Sequence, residues 1–329
     1  MRIRSGLYGV ALATAVAATF GNFAIAETIR LAHHHAVDGM LDKTAHVIAQ
    51  EIKKSTNGEL VIEIFPAAQL GQQQEAYDQL DLGIIDMTLT PSGLIDKKWA
   101  GIRHADLPFI WESFEHFQRA KSGEWGEAMV DGILANSNTR VIGWGGFGFR
   151  DMIFRGEPVT TVAGLNGMKM RAPESRLWIR MFELLDARPT PVTWGEVYTA
   201  MQTGVAAGLE SPAVAALDMK FNEVTKSLVK TQHMFGILAI CINDNRFKGL
   251  KPEFQKAILD AGIAAGAFFD TETKVQIESA YADMETKGMT VVEPADPAEW
   301  VTAMNPLWEE VKGDHADIGK MIDLAIKAK

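Results

Sequence analysis

Two arginines in apolar surroundings have the clearest capacity for chemistry in this sequence. Arg171 lies in residues 168–172 (MKMRA), which read as a strand, and Arg150 lies in the extended run 149–154 (FRDMIF). An unpaired buried charge is costly, so each guanidinium needs an anionic partner. For Arg171 this is either a local carboxylate such as Glu174 or the carboxylate of a ligand, which a planar guanidinium binds through two parallel hydrogen bonds. Spacing alone leaves both interpretations open.

An aromatic residue opens the next helical segment. Thr193 and Glu196 form a T-x-x-E pattern that predicts a capping box at a helix start, and Trp194 is its first residue. The indole either packs in the protein core or provides a flat wall for the apolar face of a ligand.

Two motifs suggest other chemistries that their surroundings disfavour. Neighbours in a strand point to opposite faces, so the histidines of residues 33–35 cannot all bind one metal ion. Residues 143–148 (GWGGFG) match G-x-G-x-x-G, but an extended segment follows where a dinucleotide site needs a helix. We expect one histidine to face a crevice and the glycine run to cross between domains. We predict no metal, no cofactor and no enzymatic activity, since neither G-x-S-x-G nor H-E-x-x-H occurs.

Alternating strands and helices position these residues. Strand patterns at 28–33, 59–65 and 84–90 enclose helical patterns from Asp38, as N-cap, to about 56 and at 72–82. This order predicts a parallel sheet that binds ligands beyond the carboxyl ends of its strands. The residues expected at that edge are His34, His35, Gln73, Pro91 and Ser92.

A second α/β block follows a helical stretch at about 114–135 and a strand at 139–144. Strands are predicted at 168–171, near 190 and at 206–210, with helices at about 175–185 and from 194. A long helix is predicted over 252–287, with a bend near Gly262 or Gly266, and the chain is helical from Asp296. The pattern predicts an α/β protein with two domains, as the length of 329 residues also suggests.

The N-terminal segment and the net charge indicate where the protein is located and what it does not bind. Arg2 and Arg4 precede an apolar run, and residues 24–26 (AIA) form an A-x-A site. We therefore expect a signal peptide at 1–26, cleaved after Ala26, and an exported, soluble mature protein. The net charge of −10 argues against nucleic-acid and anionic-membrane binding. Cys241 is the single cysteine, in an apolar run expected to be a buried strand.

Two sequence blocks carry a family resemblance. Residues 167–171 (GMKMR) and 190–204 (TPVTWGEVYTAMQTG) resemble the signature of the solute-binding subunits of TRAP transporters, the tripartite ATP-independent periplasmic transporters related to dicarboxylate-binding proteins. Residues 31–33 (LAH), 65–71 (FPAAQLG) and 82–86 (LGIID) fit the same family. The resemblance covers nearly the whole mature chain.

The resemblance implies a two-lobed α/β fold around a ligand cleft, with a long helix spanning both lobes. It places residues 27–148 and about 237–276 in lobe I, and residues 149–236 and about 277–329, with the C-terminal helices, in lobe II. It also implies roles for site residues. Arg171 matches the selectivity arginine, Arg150 a second carboxylate-binding arginine and Trp194 the aromatic wall. The positions at which relatives vary their ligand contacts are His34, Gln73, Pro91, Ser92 and Glu174.

The sequence departs from the family pattern at Ala207-Gly208, where relatives carry Asp-Gly, and at Ser211, where they commonly carry Asn. That Asn supports the ligand carboxylate in many relatives. Ser211 is therefore expected either to donate one hydroxyl or to leave room for a different head group.

The expected function is capture of a small organic acid between closing lobes and its delivery to the small and large permease subunits, driven by a sodium gradient. Glu174 beside the arginines would favour a hydroxy acid, a sugar acid or a zwitterion over a plain fatty acid. The alternatives are a periplasmic receptor that feeds a sensor protein and, third, a periplasmic enzyme.

Overall fold

The structure, a computed structural model, describes residues 26–329, so the predicted signal peptide lies outside the described part except for Ala26. In this part of the chain nine strands form one mixed sheet in the order β2-β1-β3-β8-β4-β7-β5-β6, with β9 beside β8. The strands are β1 (Glu27–Ala32), β2 (Leu60–Phe65), β3 (Met87–Pro91), β4 (Thr139–Phe154), β5 (Lys169–Ala172), β6 (Arg188–Pro191), β7 (Gly208–Pro212), β8 (Ser227–Asn243) and β9 (Thr290–Val292).

Helices cover both faces of this sheet. They are α1 (Met40–Ser55), α2 (Gln73–Asp81), α3 (Phe114–Lys121), α4 (Glu124–Asn136), α5 (Arg176–Leu184), α6 (Val197–Thr203), α7 (Ala213–Asp218), α8 (Asp244–Lys248), α9 (Pro252–Thr286), α10 (Pro297–Asp314) and α11 (Ala316–Lys327). None of the helices within residues 26–329 combines the length and the apolar character that crossing a lipid bilayer requires.

The first lobe is built around β1, β2 and β3. As predicted from the alternating order, β1 pairs in parallel with both β2 and β3. Helix α1 buries Leu41, Ala45, Ile48 and Ile52, which recur every three or four residues and so share one face. That face packs in one core with buried residues of α9. The predicted α/β architecture is confirmed here.

Strands β4 and β8 connect the two lobes. Strand β8 pairs with β3 through residues 238–242, whereas β4 pairs with β7 through residues 150–154. The predicted strand at 139–144 is therefore only the first part of β4, and the glycine run is its irregular middle. Gly148 has a φ of 83°, which a residue without a Cβ adopts readily. The second lobe contains β5, β6, β7 and β9.

Helix α9 spans both lobes as one uninterrupted helix. Gly262 and Gly266 bring it against β4, because a Cβ on either would clash with the carbonyl oxygens of Ile142 and Trp144. These glycines therefore permit close helix–strand packing. Cys241, in β8, is fully buried as predicted, and burial raises the pKa of its thiol.

Two predictions about local structure are wrong. The N-cap of α1 is Gly39, and the backbone N–H of Met40 donates to Oδ2 of Asp218, at the end of α7 in the second lobe, at 3.1 Å. Thr193 makes no side-chain cap, and a 3-10 turn (Trp194–Glu196) precedes α6. In the first case a carboxylate from a distant segment provides the hydrogen bond expected from a local side chain.

The last helix contacts the first lobe. Helix α11 buries Ile318, Met321, Ile322 and Ala325 in the same core as residues of α3 and α4. His116 Nε2 lies 2.7 Å from the carbonyl oxygen of Ala325. The C-terminal helices predicted to belong with lobe II are therefore shared between the two lobes, because the apolar face of α11 is buried against lobe I.

We expect Gly266→Ala to destabilise the protein by about 1–3 kcal/mol, because a methyl group there overpacks the contact between α9 and β4. This cost exceeds the helix-propensity gain of about 1 kcal/mol. Gly319→Ala is the matched control, since a Cβ at Gly319 meets no atom within 4 Å. Urea unfolding of both variants measures the difference, and equal stability would contradict the packing argument.

Candidate functional site

A cleft between the two lobes contains most of the predicted site residues. Its space is about 620 Å³, including the part open to solvent. Its walls come from the ends of β1 and β3 in the first lobe and from β5, α5 and the turn before α6 in the second. The predicted residues that line it are His34, Gln73, Pro91, Ser92, Arg150, Arg171 and Trp194.

Arg171 is a buried cation that forms no ion pair with the described residues. It lies in β5, is 1% exposed, and donates from Nε to the carbonyl oxygen of Val192 at 2.9 Å. No carboxylate oxygen of residues 26–329 lies within 4.0 Å of its guanidinium. Burial lowers its pKa to about 9, so the group remains protonated at neutral pH. The two terminal nitrogens are therefore free to bind an anion in the cleft.

Arg150 already has an internal partner. Its guanidinium pairs through Nε with Oε2 of Glu210 and through Nη2 with Oε1 at 2.8 Å. Burial tends to raise the pKa of the Glu210 carboxyl, but Arg150 outweighs this and holds it below its usual value. Glu210 is fully buried in β7. This pair leaves Nη1 of Arg150 without a hydrogen bond to the described residues.

Each arginine lies over an indole. The Arg171 guanidinium carbon is 5.5 Å from the ring centre of Trp194, and that of Arg150 is 5.7 Å from Trp178. Such cation–π contacts stabilise partly desolvated cations. Trp194 also stacks on His35 of the first lobe, with ring centres 5.8 Å apart. The indole thus joins the two lobes beside the arginine.

The histidines at the end of β1 have different surroundings. His33 lies 3.1 Å from Asp42, away from the cleft, whereas His34 and His35 both line it. The side-chain amide of Gln73 lies 2.7 Å from Nε2 of His34. Burial lowers the pKa of His34 well below its usual value and that of His35 to about 3. Both are neutral imidazoles, so they can form hydrogen bonds with a ligand but do not compete with Arg171 for its anionic group.

Two predicted residues lie outside the cleft. Glu174 is exposed and borders a separate depression with Gln72 and Thr193. Ser211 is fully buried in β7, and its hydroxyl donates to the carbonyl oxygen of Pro212 at 3.1 Å. Alternation along β7 accounts for Ser211, because its neighbour Pro212 lines the cleft. Glu174 lies in the loop after β5, where no periodic rule sets the direction of a side chain.

The sequence interpretation missed Glu210, Asp106 and Trp178. Glu210 had a usable signal, because an acid in the apolar stretch 208–212 (GLESP) needs a counter-charge as much as a buried arginine does. Asp106 ends a 3-10 segment (Ala100–Asp106) without a periodic pattern. Its position in the cleft wall follows only from the tertiary fold.

Several polar atoms of the lining residues are buried and have no hydrogen-bond partner in the described part of the chain. They are His35 Nδ1, Ser175 Oγ, Trp178 Nε1 and Trp194 Nε1. Unsatisfied buried polar groups cost free energy unless a ligand or water completes them. The cleft therefore combines an unpaired cation with several unused hydrogen-bonding groups.

Comparison with known proteins agrees with this geometry. Residues 31–314 match the model of the bacterial extracellular solute-binding protein family 7. A solute-binding protein of Roseobacter denitrificans is 31% identical over 299 residues, which cover 89% of this chain and 90% of that protein.

Two solved structures share the fold. A TRAP periplasmic solute-binding protein from Roseobacter denitrificans with bound β-D-glucuronate has a TM-score of 0.88 at 25% identity, covering 92% of this chain and 100% of that one. A second protein from that organism, with bound L-galactonate, has a TM-score of 0.85 at 27% identity, with coverages of 91% and 98%. The two-lobed architecture, the cleft and the family match lead to one conclusion: this chain belongs to the bacterial extracellular solute-binding proteins of family 7 and is a solute-binding protein of the TRAP transporter type.

Proposed function

We propose that this protein captures a small sugar acid, a hexuronate or an aldonate, by binding its carboxylate at Arg171. The observation that carries the proposal is the buried Arg171 guanidinium, which has no ion pair within the described residues. A ligand carboxylate supplies the missing charge and accepts two parallel hydrogen bonds from the terminal nitrogens. The glucuronate and L-galactonate bound by the two structural relatives support this ligand class.

Arg150 has a supporting role in this proposal. Its ion pair with Glu210 fixes the guanidinium and neutralises most of its charge, while Nη1 can donate to the ligand. Arg171 therefore provides most of the electrostatic attraction, and Arg150 adds a directional hydrogen bond. Trp194 and Trp178 provide the apolar surface on which the carbon skeleton packs.

Ligand binding stabilises contacts between the lobes. The stacking of His35 on Trp194 and the hydrogen bond from Met40 to Asp218 both join the lobes beside the cleft. A ligand that touches both walls favours this arrangement, because only a difference in affinity can shift a conformational equilibrium. The closed protein then docks on the small and large permease subunits. Export with cleavage after Ala26 belongs to the same proposal.

We expect Arg171→Met to raise the Kd for D-glucuronate or L-galactonate at least about 30-fold, because removing one partner of a buried charge pair costs about 2–5 kcal/mol. Arg171→Lys should restore only part of the affinity, since an ammonium cannot form the bidentate contact. Isothermal titration calorimetry measures both.

The matched control for these variants is Arg180→Met, because Arg180 is on the outer face of α5, where it pairs with Glu310. The Kd of the Arg180→Met variant for the same sugar acid should stay within about twofold of the wild-type value, because exposed ion pairs contribute little. Sugar-acid binding that survives Arg171→Met unchanged would remove the proposed role of this residue.

The two arginines should differ in their effect on the ligand-free protein. Arg150→Met is expected to lower the free energy of unfolding by about 3–5 kcal/mol, because it leaves the buried Glu210 carboxylate unpaired. Arg171→Met should lower it much less, because no carboxylate oxygen of residues 26–329 lies within 4.0 Å of that guanidinium. Chemical unfolding of ligand-free protein measures both, and equal losses would show that Arg171 has a structural partner.

A further inference from the structure

Asp106 presents a free carboxylate oxygen to the cleft. The residue is 3% exposed and belongs to the cleft wall. Its Oδ1 accepts a hydrogen bond from the Ser92 hydroxyl at 3.0 Å. Its Oδ2 accepts no hydrogen bond from residues 26–329. Because Asp106 lines the cleft, this oxygen is an available acceptor for a donor group of the ligand.

The backbone around Asp106 is firmly held. The indole N–H of Trp111 donates to the carbonyl oxygen of Ala105 at 2.8 Å, and the Leu107 N–H donates to that of His104 at 3.1 Å. Phe109 N–H donates to the carbonyl oxygen of His233 in β8 at 2.9 Å. These bonds fix the segment on both sides of Asp106, so its free oxygen has a defined position before any ligand arrives.

The second lobe closes over this oxygen. A Cβ on Gly93 would lie 2.8 Å from Oδ2 of Asp106 and 2.5 Å from the ring of Trp178. Glycine at this position therefore lets the indole of α5 approach the carboxyl group across the cleft. Trp178 also lies over Arg150, so one indole adjoins both the second arginine and Asp106.

We propose that Asp106 is a specificity-determining residue that accepts a hydrogen bond from a ligand hydroxyl and so selects hydroxylated acids over plain carboxylic acids. This rests on the proposed function, in which Arg171 holds the ligand carboxylate. The ligand then lies between two fixed points, with its anionic end at Arg171 and a hydroxyl at Oδ2 of Asp106. Sites that hydrogen-bond a ligand hydroxyl reject analogues that lack it, because the protein group is left unpaired.

A neutral hydroxyl fits Asp106 better than a ligand ammonium does. Burial raises the pKa of Asp106 to about 7, so the group carries only part of a negative charge at neutral pH. A hydroxyl pairs with the carboxyl in either protonation state, whereas an ammonium requires the ionised form.

The test is a cycle between protein and ligand. Kd values for L-galactonate and each of its monodeoxy analogues are measured by calorimetry for the wild type, Asp106→Asn and Asp106→Ala. We expect one analogue to bind the wild type at least about tenfold more weakly than L-galactonate does. On the Asp106→Ala variant, the same analogue and L-galactonate should bind equally tightly. Asp106→Asn, which keeps one acceptor oxygen, should give an intermediate loss.

Asp151→Asn is the matched control. Asp151 is also fully buried with a pKa raised by burial to about 7, but it lies outside the cleft and is bonded by Tyr281 at 2.7 Å. Its variant should change stability and leave the ratios between analogues within about twofold of the wild type. This separates a ligand contact from a general effect of altering a buried aspartate.

Different outcomes identify which proposal fails. If the penalty of every missing hydroxyl is the same in Asp106→Ala as in the wild type, the inference is overturned while the Arg171 proposal stands. If the wild type binds hexanoate as tightly as L-galactonate, hydroxyl selection is also overturned. If an amino analogue binds more tightly than L-galactonate and this depends on Asp106, the site selects zwitterions instead. Loss of binding in Asp106→Ala with full retention in Arg171→Met would overturn the proposed function.

Discussion

A buried guanidinium that forms no ion pair with residues 26–329 is the constraint on which the cleft depends. Arg171 is held by one hydrogen bond to the Val192 carbonyl and by the face of Trp194, neither of which neutralises it. Glu210, whose charge also acts on Arg171, is paired directly with Arg150. The neutral imidazoles of His34 and His35 add no competing charge. A protein with a net charge of −10 thus keeps one strong anion site in its interior.

The architecture joins the two lobes firmly far from the cleft and more weakly beside it, where a ligand must enter and leave. Long strands β4 and β8 and the helix α9 are shared by both lobes, so the lobes are joined by continuous elements. Glycines 262 and 266 draw α9 tightly onto β4 and stiffen this connection. Contacts nearer the cleft are different in kind. They consist of aromatic stacking and single hydrogen bonds, as between His35 and Trp194, which can form and break at modest cost.

Two buried acids of the site have different roles because their environments differ. Glu210 lies against Arg150, which keeps the pKa of its carboxyl low and makes it a permanent anion. Within residues 26–329 the Asp106 carboxyl accepts a hydrogen bond only from the neutral Ser92 hydroxyl, and burial raises its pKa to about 7. The first acid positions a cation, whereas the second is left to interact with the ligand. Similar side chains therefore have different roles through their neighbours alone.

The amino-acid sequence by itself determined the parallel β-α-β-α-β start and the long helix, because these follow from local periodicity. The cost of burying a charge showed only that Arg171 needs an anionic partner, either internal or from a ligand. The rule that parallel strands present their carboxyl ends together also predicted five residues at one edge, and His34, His35, Gln73, Pro91 and Ser92 all line the cleft. Only the tertiary structure decided that Asp218 completes the start of α1, that α11 packs on the first lobe and that Glu174 faces away from the cleft. Each of these depends on contacts between residues far apart in the chain, or on the direction of a single loop side chain, which periodicity does not encode. Asp106 belongs with them, since its place opposite Trp178 exists only when two lobes meet.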